Sequence, residues 1–137
     1  MKDLVSGIFS IEHLREMKKG IELFNEQKYW ECHEELERYW ADNPGDEVRV
    51  VFWAVIQVAT AMYHFREGNF QGVRGMMSKA QEKIERGEKL KVESDILEKY
   101  MAWEKFKALV KKNGDKLEDY LPMYNFRFPS NLSDWPV

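Results

Sequence analysis

The stretch VVFWAVIQVATAMY, residues 50 to 63, holds no charged side chain and is interrupted only by Gln57 and Thr60. It is too short to cross a bilayer, which takes about 20 apolar residues, so it predicts a buried core helix. With its flanks it predicts a helix from about Glu47 to Glu67 that is apolar nearly all round. A helix of that kind has no face to give to water and belongs in the middle of others. The rest of the chain supplies them: apolar residues recur at helical spacing, and no convincing strand pattern is present.

Four further helices are expected around it. Ser10 is placed to cap a first helix ending near Gln27, with Leu14, Met17, Ile21 and Phe24 as its inward stripe. A second runs from about Lys28 to Ala41 and ends at the turn Asp42-Asn43-Pro44-Gly45, after which Asp46 caps the central helix. Gly68 and Asn69 end that helix and cap the next, Phe70 to about Arg86, which Gly87 stops. Ser94 caps a fifth helix to about Asn113, closed by Gly114, and a short helical piece follows from Asp115 to Tyr120. The tail LPMYNFRFPSNLSDWPV carries three Pro and four aromatics. It is too apolar to hang free and is expected to lie extended across the bundle. The architecture read from the chain is therefore all-α: one domain over residues 1–137, with about five helices built from antiparallel hairpins. Phe24, Tyr29 and Leu36 are echoed by Phe65, Phe70 and Met77, but two such units are too few for a solenoid.

Charge and cysteine usage narrow the function classes. The net charge of −3 argues against phosphate-backbone binding, so no nucleic acid is expected. Lys105, Lys107, Lys111 and Lys112 read as the solvated face of a helix. A single cysteine, Cys32, excludes an internal disulfide and fits a reducing cytoplasm. The opening MKDLVSGIFSIEHLREMKKG shows no signal-peptide apolar region, and no membrane association is expected. Aromatic residues reach 14%, with five Trp, so large rings carry much of the packing.

Residues 30 to 40, WECHEELERYW, come within one residue of the His-Glu-x-x-His helix of zinc proteases, with Glu37 where the second His would stand. At 100° per residue, Tyr29, Cys32, Leu36 and Trp40 form the inward stripe of this helix. His33 falls on it and Glu37 at its edge, so both are expected to be at least half buried. Glu34 lies farther round, and Glu31, Glu35 and Arg38 point outward. On the central helix Trp53, Gln57, Thr60 and His64 share one side. Buried polar groups need partners, and a short turn makes these two helices neighbours. His33, Glu37, Gln57 and His64 are therefore expected to meet.

These residues resemble a family. FNEQKYWECHEELERYW followed by AVIQVATAMYHFREGNFQG is similar to the prokaryotic family catalogued as domain of unknown function number 309. Its pattern is matched by Phe24-Asn25, His33-Glu34, Glu37, Trp40, Gln57, Ala61, His64, Gly68-Asn69 and Gly72. The resemblance covers about residues 24 to 84; Val73 departs from it where the family usually has Ala. It implies a small helical bundle and no established activity.

The functional reading starts from a candidate polar cluster of His33, Glu34, Glu37, Trp40, Gln57, His64 and Asn69. The main expectation is a non-enzymatic interaction or structural module, with Trp40 covering a polar core, Asn25 and Asn69 as turn or cap residues, and a second copy or another protein as partner. No cofactor is expected. The alternative is a metal-dependent hydrolase with a divalent metal on His33, Glu37 and His64 and Glu34 as base. Metal-free acid–base chemistry by His33 tuned by Glu37 lacks an obvious nucleophile, since Cys32 points about 100° away.

Overall fold

The computed structural model describes residues 7–129 and 131–137, and all regular structure among them is helical. The elements are α1 (Ile11–Asn25), α2 (Tyr29–Asp42), α3 (Arg49–Arg66), α4 (Phe70–Leu90), α5 (Asp95–Met101), α6 (Trp103–Lys111) and α7 (Leu121–Tyr124). Two 3-10 turns, Leu117–Tyr120 and Leu132–Asp134, complete the order. Among the described residues seven α-helices thus stand where about five were expected.

The central place of α3 follows from its composition. Eleven of its side chains are buried, from Val50 to Met62, and its packing is most extensive with α4 and α2. The rings of Trp40 and Trp53 lie 5.1 Å apart and those of Trp30 and Tyr63 5.4 Å apart, so α2 and α3 run in opposite directions. Lys83 lies over Trp53, and His64 backs onto Gly72, so α4 runs antiparallel to α3 on its other side. The first helix approaches α2 closely at Gly20, where a methyl group would collide with Leu36.

Several boundaries follow the expected capping. Ser10 accepts from the backbone of His13, Asn69 from that of Gly72 and Ser94 from that of Leu97. Gly68, at φ +74°, sits just past the end of α3 in the left-handed region that glycine enters freely. Asp46 holds the turn before α3, with its carboxylate accepting from Val48 N at 3.0 Å, but the helix itself begins later, at Arg49.

Three expectations are corrected. Gly87 does not stop α4, which continues to Leu90 and ends at Lys91 in the left-handed region. Gly87 is buried instead against Val50 and Val92. The fifth helix is broken at Ala102, whose φ of 50° separates α5 from α6. The break turns Trp103 into the core, where it stacks on Phe106 at 4.9 Å and donates to Glu93 at 3.1 Å. An alanine in this conformation costs about 1–2 kcal/mol, which the buried indole offsets. Finally, the tail is not wholly extended, because the 3-10 turn and α7 precede the irregular run over residues 126–129.

That run is held by side-chain amides. The Asn25 amide donates to Phe128 O at 3.3 Å and accepts from Phe128 N at 3.0 Å. Gln27 and Tyr29 both donate to Tyr124 O at 3.3 Å. Asn25 therefore clamps the tail and does not cap a helix. Phe126, Phe128 and Trp135 are buried by the docking.

Candidate functional site

One strip of α3 carries Trp53, Gln57, Thr60 and His64 at spacings of four, three and four, which places them on one side of the helix. The strip lies between α2, where Trp40 packs on Trp53, and α4, where Gly72 meets His64 and Lys83 lies over Trp53, so these two helices flank it as the walls of a groove. Gln57 is only 5% exposed. Thr60 turns its hydroxyl back to Ile56 O at 3.0 Å, a satisfaction internal to the helix.

The expected polar residues line this groove, but no hydrogen bond joins His33, Glu37, Gln57 and His64 into one network among the described residues. His33 Nε2 lies 3.7 Å from Glu37 Oε2 one turn away. Its ring packs on Trp30, with centroids 4.8 Å apart. Glu37 is 53% exposed along its side chain, so it stands on the rim and not at least half inside. Glu34 is fully on the exposed side. His64 belongs to the α3–α4 turn: its Nδ1 lies 3.5 Å from Asn69 Nδ2, while Asn69 caps α4 by accepting from Gly72 N at 3.0 Å. A methyl group at Gly72 would sit 2.7 Å from the His64 ring, so glycine there is what lets the imidazole lie against α4.

Three buried polar atoms in the α2–α3 seam have no hydrogen-bond partner among the described residues: His33 Nδ1, Trp40 Nε1 and Gln57 Oε1. Each such atom costs about 1–3 kcal/mol relative to a satisfied one. Trp40 is covered on its outer side by the Arg49 guanidinium, 4.5 Å from the ring centroid. Across the groove the ammonium of Lys83 lies 4.1 Å above Trp53 and 3.0 Å from Glu82. Beyond Trp40 and Trp53 the groove opens into a pocket bordered by Pro44, Arg49, Arg86 and Leu90.

Among the described residues, no group of three or more His, Cys, Asp or Glu side chains is placed to hold a metal ion. Cys32 is buried, and burial holds its thiol protonated by raising its pKa well above the usual range. It faces the core as a small apolar residue.

Two polar assemblies lie elsewhere. His13 is buried and bridges α1 to the α2–α3 turn: its Nδ1 accepts from Ser10 N at 2.9 Å and its Nε2 meets Asp46 Oδ2 at 2.7 Å. Tyr39 donates to the same carboxylate at 2.7 Å. The signal in the sequence is Ser10-x-x-His13, a capping box with imidazole in place of the usual Glu or Gln. Lys107 is the second. It is buried, not solvated as its neighbours Lys105, Lys111 and Lys112 are, and it lies 2.8 Å from Glu88, 2.9 Å from Glu93 and 3.3 Å from Glu104.

Comparison with known proteins gives a family match over part of the chain. Residues 17–76 match the family described as "Domain of unknown function (DUF309)", the family whose motifs the sequence carries. The matched segment runs from α1 into α4 and includes the floor of the groove and its α2 wall. The chain is also 36% identical over 58 residues to "Uncharacterized protein YpuF" of Bacillus subtilis (strain 168). That match covers 42% of this chain and 33% of the relative, so the chain spans about a third of the length of the curated protein it matches. No solved structure matches. No helix among the described residues is long and apolar enough to cross a membrane.

Proposed function

We propose that this protein is a non-enzymatic helical interaction module of the cytoplasm, and that the α2–α3–α4 groove is its binding face. The observation that carries the reading is the seam itself. His33 Nδ1, Trp40 Nε1 and Gln57 Oε1 are buried and unpartnered among the described residues, beside the half-exposed Trp30. Buried polar groups are ordinarily satisfied, and a large exposed aromatic at the edge of a groove is typical of recognition surfaces. The single buried Cys32 supports a reducing compartment.

The test is a photo-activatable residue at position 34, on the rim of the groove, and for comparison at the exposed Lys112, just past the end of α6. Irradiated cells are expected to give a higher-mass protein adduct from position 34 and none from position 112. No adduct at 34, or the same adducts from both, would overturn the reading.

The second reading is a metal-dependent hydrolase with His33, Glu37 and His64 as ligands and Glu34 as base. The 3.7 Å approach of His33 to Glu37 is the observation in its favour. Metal content after incubation with zinc, manganese and iron separates the two readings. Stoichiometric metal in the parent, lost in His33→Ala, would replace the interaction module with the hydrolase.

A further inference from the structure

The groove has two walls of opposite charge. On α2 the residues bordering the groove recur at helical spacing as Trp30, Glu34, Glu37 and Ala41. On α4 they are Gly72, Met76, Lys79, Lys83, Arg86 and Leu90, an edge fixed by Gly72 against His64 and by Lys83 over Trp53. On the α2 wall Glu34 and Glu37 stand beside His33, and on the α4 wall Lys79 and Arg86 are exposed while Lys83 is paired with Glu82. No ion pair crosses the groove among the described residues. Among the described residues the exposed Glu34, Lys79 and Arg86 form no ion pair, while Glu37 meets only His33 and Lys83 only Glu82. Two of the four large apolar side chains that are exposed, Trp30 and Leu90, stand on these same walls.

The ring contacts set the level of each residue along the bundle. Trp40, Trp53 and Lys83 lie at one level. Trp30 and Tyr63 mark another, close to that of His64 and Gly72. Counting helical rise between these marks puts Lys79 on α4 at the level spanned by Glu34 and Glu37 on α2.

We propose that the occupant of the groove is a second copy of this chain, docked face to face about a two-fold axis parallel to α3. The proposal rests on the reading of this face as an interaction surface and names its partner. This axis lays α2 of each copy over α4 of the other at the same level. Lys79 then falls between Glu34 and Glu37 of the second copy, and Trp30 comes over the shelf made by Gly72 and Met76. The interface is isologous, so each contact occurs twice. The other face-to-face arrangement, with the axis across the helices, sets Glu34 and Glu37 against themselves, and like charges in apposition exclude it. Three helices side by side at about 8–10 Å spacing, from about 21 to about 32 Å long, offer on the order of 600 Å² per partner. That is the low end for a specific interface, so the dimer is a transient, salt-sensitive one with micromolar dissociation.

The experiment is sedimentation equilibrium from micromolar to millimolar protein at low and high salt. Wild type is expected to dimerise, more weakly at high salt. Glu37→Lys alone and Lys79→Glu alone should each weaken the dimer by about tenfold or more; both positions are exposed, and circular dichroism checks that the variants fold. An equal mixture of the two variants should associate more strongly than either variant alone, because one contact set in the mixed dimer is native and in the other the two reversed positions attract while Glu34 opposes them. A monomeric wild type, or a dimer indifferent to both reversals and to their mixture, would overturn the proposal. If wild type is monomeric but position 34 still crosslinks to a different protein, the second copy is ruled out while the interaction reading stands. If position 34 gives no crosslink at all, both fall.

Discussion

On the α4–α6 side of the bundle the buried ammonium of Lys107 is met by three carboxylates, and on the α2–α3 side three buried polar atoms meet none. Burial alone would lower the pKa of Lys107, yet its bonds to Glu88 and Glu93 outweigh that and raise it, so the ammonium stays charged. The two regions show what a polar residue inside a helical bundle can be for. Where every partner comes from the same chain, the group locks two helices together. Where three buried polar atoms find no partner among the described residues, the seam lies beside the exposed Trp30. The first pattern is architecture, and the second is where binding is to be sought.

The sharpest way to break the comparison is to unlock the satisfied side. Lys107→Met leaves Glu88 and Glu93 without their shared cation, and breaking a buried pair costs about 3 kcal/mol. Urea denaturation is expected to show a loss of that order; a change below about 1 kcal/mol would mean that solvent screens the network. Asn25→Ala removes both bonds to Phe128 and should cost about 1–2 kcal/mol. Hydrogen exchange is expected to rise across residues 126–128 and not in α3.

The acid limb of stability tests the same network by pH. Lys107 and Lys111 hold the Glu88 carboxyl below the usual carboxylate range, the hydrogen bond from Lys107 being the largest influence. A lowered native pKa means that the stabilisation is present above the unfolded value of about 4.3 and is lost as pH falls through the native one. Glu88→Gln should therefore be less stable than wild type at neutral pH, with the difference shrinking below about pH 4. A constant difference across that window would remove Glu88 from the account. The smallest effect belongs to the unsatisfied side. Gln57→Leu deletes an oxygen with no partner among the described residues and should leave the melting temperature unchanged or raise it by the equivalent of up to about 1 kcal/mol. A loss of 2 kcal/mol or more would show that Gln57 is already well bonded.

Much of this was legible in the chain. The apolar run from Val50 to Tyr63 placed α3 at the centre, and Ser10, Gly68, Asn69 and Ser94 marked boundaries because caps act on their immediate neighbours. The helical wheel put His33, Gln57 and His64 on the correct sides. It could not set the rotation of α2 against α3, so it expected a shared network where His64 in fact turns toward Asn69. The break at Ala102 had no local signal, since alanine favours helix and only the burial of Trp103 overrides it. Lys107 was misread for a related reason: its spacing matched exposed neighbours, and the carboxylates that bury it come from α4 and the loop after it. His13 has no short-range signal of its role in the core beyond its capping contact with Ser10, because its other partner, Asp46, lies 33 residues on.

The tail clamp has a consequence for the order of events in folding. The helical hairpins α1–α2, α2–α3 and α3–α4 close between sequence neighbours and form early, because short loops cost little entropy to close. The bond from Asn25 to Phe128 spans 103 residues and forms only once both α1 and α6 are in place to receive the tail. Loosening it should leave the rate of folding nearly untouched and appear as faster unfolding, so the aromatic tail serves as a kinetic latch on a bundle already assembled.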